Sequence, residues 1–582
     1  MSTPPDRVTG ADRPTTTSTT TTSTTAASTA DASTATATGR LRRTARVLAA
    51  TAGVATLAAC GAAAGATSPG GGGEPVPGGT IVYAHDQEPP CLYGGWVQQA
   101  YLSRQVLDSL VAQDADGGIV PWLATDWSVS PDQLVWTFTL RDGVRFTDGT
   151  PLDAAAVVRN LEFWIPEAGN STVAAYLGSY YAGARAVDDR TVELTLTRPY
   201  SPLLSVLSQP YFGIQSPTAL ERGAEANCEE PVGSGPFVVE SWDRGEAVTF
   251  VANEDYTSAP ANARHQGRAH VDRLVWRFVH DPVARLGALT TDEAQVVYDV
   301  PTPQWEAARA AFDVQQYITP GRPVALGLNT VAGPFADVRV RQAFAFATDR
   351  EAAVRSAFHG VVPFEGNGAL SRSTPGYDPE AAQAYPYDPE RAAALLDEAG
   401  WDEVDDEGYR VKDGERLRIR VVYGAGSIVT AEGATALQNI QEQARGSGFE
   451  VELLPVTRDE LFSGKYSGPG TYDAKPGYWT SPTAGVLLIT FRQHLPESPN
   501  FSNSSFFNDP ELEALILEAN STLDRAEQDR LYASAQRIVA DEAASLGLWT
   551  QTTSLAVSPR LQGVWLEQSQ GAPVFHDATF VR

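Results

Sequence analysis

Three cysteines and seven histidines carry the chain's whole capacity for thiolate and imidazole chemistry. A cysteine can be a nucleophile, a metal ligand, an acylation site or half of a disulfide, and its neighbours and compartment decide which. Cys60 closes the run Leu57-Ala58-Ala59-Cys60. Cys91 and Cys228 stand alone, and neither forms a Cys-x-x-Cys, so redox exchange and zinc binding have no local support. In an oxidising compartment an even pair is expected to bond, and closing a loop of about 138 residues would stabilise by roughly 4–5 kcal/mol in the chain-entropy account. Two buried free thiols are the other reading. The histidines are scattered. His265 and His270 are five apart with His280 beyond, but no acidic or cysteine partner has a zinc spacing, so they read as part of a solvated loop and strand. No His-Glu-x-x-His, Gly-x-Ser-x-Gly, dinucleotide-binding or phosphate-loop signature occurs. The 71 acidic residues leave a glycosidase-type carboxylate pair open.

The elements around Cys60 explain its position. Residues 1–39 are Thr- and Ser-rich with almost no large apolar side chain, which predicts disorder. Arg40, Arg42, Arg43 and Arg46 then precede thirteen uncharged, mostly apolar residues, 47–59. A membrane-spanning helix needs about 20 such residues. A basic flank, a short apolar run and small residues before a break form a secretory signal over 40–59. A short buried helix after a basic loop is the alternative. Leu57 to Cys60 resembles the lipobox of bacterial lipoproteins. That resemblance implies a diacylglycerol on the Cys60 sulfur, cleavage before Cys60 and acylation of the new amine. Two or three acyl chains anchor stably where one is marginal. Residues 60–79 are rich in Gly, Ala and Ser and read as a flexible tether. The expected location is extracytoplasmic, with the body held at the outer face of the cytoplasmic membrane by Cys60 and no other membrane contact.

Charge narrows the partners. The formal net charge is −28, and the first 59 residues contribute +3, leaving about −31 on the rest. A body this acidic repels phosphate backbones, which argues against nucleic acid. With 42% hydrophobic residues, 12 Trp, 20 Tyr and 21 Phe, the chain can bury the cores of two or three domains.

The body reads as mixed α and β. Strands are predicted over 80–84, 134–140 and 191–197; in the second, Trp136, Phe138 and Leu140 share a face. Asp153 can cap a helix carrying Val157, Leu161 and Trp164 at helical spacing. Further strands fall around 271–279 and 417–423. Asp337 and Asp349 cap two helices, and Gly360 stops the second. Asp388, Pro389 and Gly400 bracket a helix with Ala392, Leu395, Leu396 and Ala399 inward. The strand at 417–423, a helix at 437–444 and a strand at 449–456 make a β-α-β unit. Two more helices lie between 509 and 543. No period of 20–50 residues repeats.

Four segments, 106–164, 231–237 (Pro-Val-Gly-Ser-Gly-Pro-Phe), 335–352 and 385–401, occur in an order and spacing that resembles the extracytoplasmic solute-binding proteins of family 5. These are receptors of peptide- and nickel-type ABC importers. The likeness runs from about residue 78 to the C-terminus. It implies an α/β chain with the two-lobe type II fold of periplasmic binding proteins and an extra subdomain in lobe I. Lobe I is expected over 80–318 plus 546–582, the subdomain over about 110–200, and lobe II over 319–545. Both Cys91 and Cys228 then belong to lobe I. The ligand lies between the lobes, and hinge closure presents it to permease subunits. The chain is expected to be a monomeric, cofactor-free binding protein and not an enzyme.

Ligand class is less legible. Peptide receptors of the family hold the ligand's amino group with an Asp after a Gly-Trp pair. Residues 476–486 keep Trp479 but follow it with Thr480, Ser481 and Thr483. The Arg that helps bind the ligand carboxylate in dipeptide receptors has no match in the loop 424–430. A buried ammonium without a counter-charge is costly, so a neutral, modified or larger solute stands beside ordinary peptides. By the resemblance, Trp479 and Tyr478 are candidate stacking walls and Ser481 a polar contact. Tyr423, His85, Gln87, Trp96 and Asn367 are further candidate contacts. A nickel or metallophore receptor of the same fold, with His494 as a ligand, is the alternative; an extracytoplasmic hydrolase and a scaffold without transport are the remaining classes.

Overall fold

The computed structural model describes residues 74–92, 100–167, 172–426 and 428–582. The expected signal, Cys60, most of the tether and Trp96 lie outside the described residues.

Two sheets carry the site. The first has seven strands in the order Asp313–Ile318, Thr552–Val557, Val296–Tyr298, Thr80–His85, Arg273–Phe278, Ala247–Ala252 and Phe237–Asp243. Thr80–His85 sits at its centre, parallel to both neighbours. Alternation drives its core: Ile81 and Tyr83 are fully buried, as are Leu274 and Trp276 on the adjacent strand, and Tyr83 meets Trp276 edge-on at 4.5 Å.

The second sheet has five strands in the order Glu450–Val456, Arg418–Gly424, Ala474–Thr480, Gly321–Leu328 and Ser545–Trp549. Arg418–Gly424 and Glu450–Val456 are parallel and joined through helix Ala431–Gly446, the expected β-α-β unit. Around it pack helices whose ends follow the sequence. The Asp388 carboxylate accepts from Arg391 N at 2.9 Å, and Ala392, Leu395 and Leu396 face inward. Asp337 and Asp349 cap their helices likewise, accepting from Arg339 N and Ala352 N.

A four-stranded antiparallel sheet follows the order Ala124–Val129, Val135–Leu140, Thr191–Leu196 and Tyr181–Asp188. Trp136, Phe138 and Leu140 are buried on one face, and helix Ala154–Glu162 starts at Asp153, which accepts from Ala156 N at 2.9 Å. This core does not end near residue 200. Leu512, Ile516, Leu531 and Tyr532, from helices Pro510–Ser521 and Arg525–Asp541, belong to the same apolar cluster. An amphipathic helix shows in its sequence that one face is buried, not which sheet buries it.

The chain passes between the two main sheets at two adjacent places. Residues 319–320 link Asp313–Ile318 to Gly321–Leu328, and residues 550–551 link Ser545–Trp549 to Thr552–Val557. Thr319 N donates to Gln551 O across 3.0 Å. Residues 546–549 lie in a fully buried strand paired with Gly321–Leu328, and the crossing comes after it. Gly321 has φ +122°, and a Cβ there would stand 2.2 Å from Trp479 O, so only glycine lets this strand lie against Trp479 and Thr480.

Cys91 and Cys228 are joined, and Leu92 N donates to Cys228 O at 2.8 Å beside them. Among the described residues no helix is long and apolar enough to cross a membrane.

Candidate functional site

A cavity of about 450 Å³ lies where the two main sheets meet. Tyr83, His85 and Tyr298 line it from the seven-stranded sheet, Thr319 and Gln551 from the crossings, and Tyr478 and Thr480 from the five-stranded sheet. A second cavity, of about 600 Å³, runs along strand Ala474–Thr480 and meets the first at Arg458, Tyr478 and Thr480. Both sizes suit a small organic solute.

His85 and Gln87 stand together on the first wall. Gln87 N donates to His85 Nδ1 at 3.3 Å, and the imidazole lies 4.4 Å from the Tyr298 ring. Burial pushes the His85 pKa down to about 4, against the opposing pull of Asp86. At neutral pH the ring is therefore an uncharged hydrogen-bonding group and not a cation.

Strand alternation turns Tyr478 and Trp479 to opposite sides. Tyr478 packs against the core of the five-stranded sheet, and Trp479 against the core shared with the four-stranded unit. Trp479 Nε1 donates to the Tyr176 hydroxyl at 3.2 Å, and that hydroxyl donates to Thr480 O. Tyr176 comes from helix Thr172–Leu177, so the four-stranded unit fixes the aromatic wall. Sequence reasoning missed Tyr176 and Tyr211, which sit about 300 and 270 residues before strand Ala474–Thr480. No local pattern links residues so far apart.

Four candidates sit elsewhere. Ser481 is fully buried; its Oγ donates to Thr483 O at 3.0 Å and serves its own turn. Tyr423 is buried in the core of the five-stranded sheet, while Ala425 and Gly426 just beyond it reach the cavity. Asn367 lines neither cavity. Its amide donates to Ala384 O and its backbone N to Ala382 O at 2.8 Å, as a turn residue does. His494 also lines neither cavity. Its Nδ1 accepts from Asn500 N at 3.1 Å and its ring rests against Phe501 and Phe506, with no ligating group converging on it among the described residues.

The histidines that do converge are different ones. His265 Nδ1 lies 3.0 Å from Asp577 Oδ1, and His576 Nε2 donates to Gly267 O at 2.7 Å. The His265 and His576 rings stack 4.0 Å apart and within 8° of parallel. One ligand atom from each of His265, His576 and Asp577 lies within 4.8 Å of the others. The cluster acts as a hydrogen-bonded clamp between the 264–270 loop and the C-terminal segment. His576 and Asp577 lie some 310 residues from His265, so no metal or clamp spacing shows in the sequence.

Two cations were also missed. Arg322 and Lys475 reach the larger cavity from neighbouring strands of the five-stranded sheet.

This geometry, a cavity between two sheets that the chain crosses twice, has a family. The family model described as bacterial extracellular solute-binding proteins, family 5 Middle, matches residues 118–505. This chain belongs to that family. Family 5 proteins serve ABC transporters, and the chain shares their two-lobe α/β fold. Among its relatives is the glutathione-binding protein GsiB of Escherichia coli (strain K12), 27% identical over 468 residues, spanning 78% of this chain and 85% of that protein. Among solved structures, NikA from Brucella suis in complex with Fe(III)-EDTA superposes with a TM-score of 0.76 at 22% identity, covering 86% of this chain and all of NikA. DppA from Helicobacter pylori in complex with the peptide STSA gives 0.71 at 21% identity, covering 87% and 99%. The last two establish the fold alone.

Proposed function

We propose that this family 5 chain is the lipid-anchored substrate-binding component of an ABC importer. It captures a peptide or peptide-like solute between its lobes and delivers it to the permease. The observation that carries this reading is the pair of joined cavities, walled from both lobes and lying against the crossings at 319–320 and 550–551. Two short crossings let one lobe turn on the other, so binding and closure are coupled. The names of GsiB and of the DppA complex support a peptide-like solute. Cys60, with the signal before it and the tether after it, supplies the anchor, and the protein acts as a monomer that returns its solute unchanged. A metal-chelate receptor is the second reading, favoured by the likeness to NikA. His494 does not support it, because it lines neither cavity and no cluster of ligating groups among the described residues includes it.

The test is calorimetry and native mass spectrometry of the purified chain with glutathione, the dipeptide Met-Leu and Ni²⁺ with free histidine. Binding of a peptide with its mass unchanged on release is the expected result. Cleavage of the peptide, or binding of the nickel–histidine mixture alone, would overturn it.

A further inference from the structure

The larger cavity is lined by three cations, Arg322, Lys475 and, where it meets the smaller one, Arg458, and by no carboxylate. Arg322 is 5% exposed. Its Nη2 donates to Ser545 Oγ at 3.2 Å, its guanidinium lies 5.4 Å from the Phe491 ring centre, and its Nε has no partner. Lys475 donates to the Tyr466 carbonyl at 3.3 Å and lies 4.7 Å from the Tyr472 ring centre. Among the described residues neither makes an ion pair. Burial pushes the Arg322 pKa down to about 10; burial, and then Arg322 itself, pushes Lys475 down to about 8. Cations sharing one cavity whose lining holds no carboxylate are an unfavourable arrangement until an anion joins them.

The cavity is shaped for such a guest. The Ser504 hydroxyl is buried there without a partner. Between Lys475 and Trp479 stands Gly477, and a Cβ at that position would meet nothing within 4 Å. Phe462 and Phe501, 70% and 64% exposed, also line the cavity, so an apolar body can lie against them while a charged end goes inward.

We propose that this cavity is an oxyanion subsite, in which Arg322, Lys475 and Ser504 receive a carboxylate or phosphate group, so that the captured solute is an acidic one. The proposal rests on the solute-binding reading above and deepens it. It also revises what the sequence suggested. The charge anchor absent from the 424–430 loop is supplied instead by the strands Gly321–Leu328 and Ala474–Thr480. Charge-assisted hydrogen bonds to an oxyanion give both atoms that lack partners a role.

The test uses the full chain in detergent, with glutathione, its diethyl ester and inorganic phosphate as probes, and Lys475→Met as the variant. Calorimetry should find glutathione bound at least tenfold more tightly than its ester. Lys475→Met should abolish that gap. A gap that survives the substitution, or acid and ester binding equally to the parent chain, would overturn the proposal. Phosphate binding that Lys475→Met removes would support the subsite and identify phosphate, not a peptide carboxylate, as its guest. A ligand-independent measurement separates this proposal from the receptor reading. If no probe binds, the receptor reading fails for peptides, yet Lys475→Met should still raise the Tm of the ligand-free chain at pH 7 by removing a half-buried cation that has no ion-pair partner. A lowered Tm would show that Lys475 is already satisfied, and the subsite would be refuted.

Discussion

Trp479 and Tyr176 are held together by a hydrogen bond from the indole Nε1 to the phenol oxygen, 3.2 Å long, and the phenol O–H in turn donates to Thr480 O. One hydroxyl thus satisfies a donor and an acceptor on the strand that separates the two cavities. It also couples the four-stranded unit to the cleft. Tyr176→Phe removes that hydroxyl and leaves two buried polar groups unpaired, at a cost of about 1–3 kcal/mol. A fall in Tm with broadened tryptophan emission is expected. A variant as stable as the parent, with unchanged emission, would show that the bond is not needed to hold Trp479.

His85 makes stability depend on pH in the acid range. Its folded pKa is about 4, below the unfolded value of about 6.5. The unfolded chain therefore binds the proton more readily, and the contribution present above pH 6.5 is lost as pH falls toward 4. The linked loss is about 3 kcal/mol at most. Urea titrations at pH 7 and pH 4.5 should show this drop in the parent chain, and His85→Gln should flatten it. An equal drop in both would place the titrating group elsewhere.

Gly477 offers a way to close the larger cavity without disturbing the strand. Its backbone is extended and its missing side chain faces empty space. Gly477→Leu should leave stability within about 1 kcal/mol, since strand interiors tolerate side chains better than glycine. Affinity for the solute should fall more than tenfold. Undiminished binding would move the solute entirely into the smaller cavity beside His85 and Gln87.

Cys60 tests the anchor independently of the cleft. Cys60→Ser should move the protein from the membrane fraction to the medium or periplasm with its affinity intact. Retention at the membrane would refute the lipid anchor, and loss of binding would mean that the body begins before the tether.

Elements whose physics is local were readable in advance. The capping carboxylates of Asp153, Asp337, Asp349 and Asp388 reach backbone N–H groups two or three residues away, so composition and spacing suffice to find them. The alternation of Trp136, Phe138 and Leu140 likewise needs only the period of a strand. The segments 106–164, 231–237, 335–352 and 385–401 indicate the family for the same reason: each is a short run whose order survives at low identity. His85, Gln87, Tyr478 and Trp479 line the cavities, having been chosen by their place in that order.

Local composition and spacing establish which stretches are helix or strand, which face of each is apolar, and which family they compose. Only the tertiary structure decided who covers those faces. It turned Ser481 and Tyr423 inward, set Tyr176 under Trp479, stacked His265 on His576, and placed Arg322 beside the cavity that Lys475 enters. The physical reason is common to all of these. A side chain's face is set by its own backbone period, but its neighbour is set by strand order and crossings that bring residues hundreds of positions apart within a few ångströms. Charge shows this most plainly. Arg322, Lys475 and Arg458 are 3 of 43 cationic residues along the chain, and only their place in the lining of one cavity without a carboxylate distinguishes them.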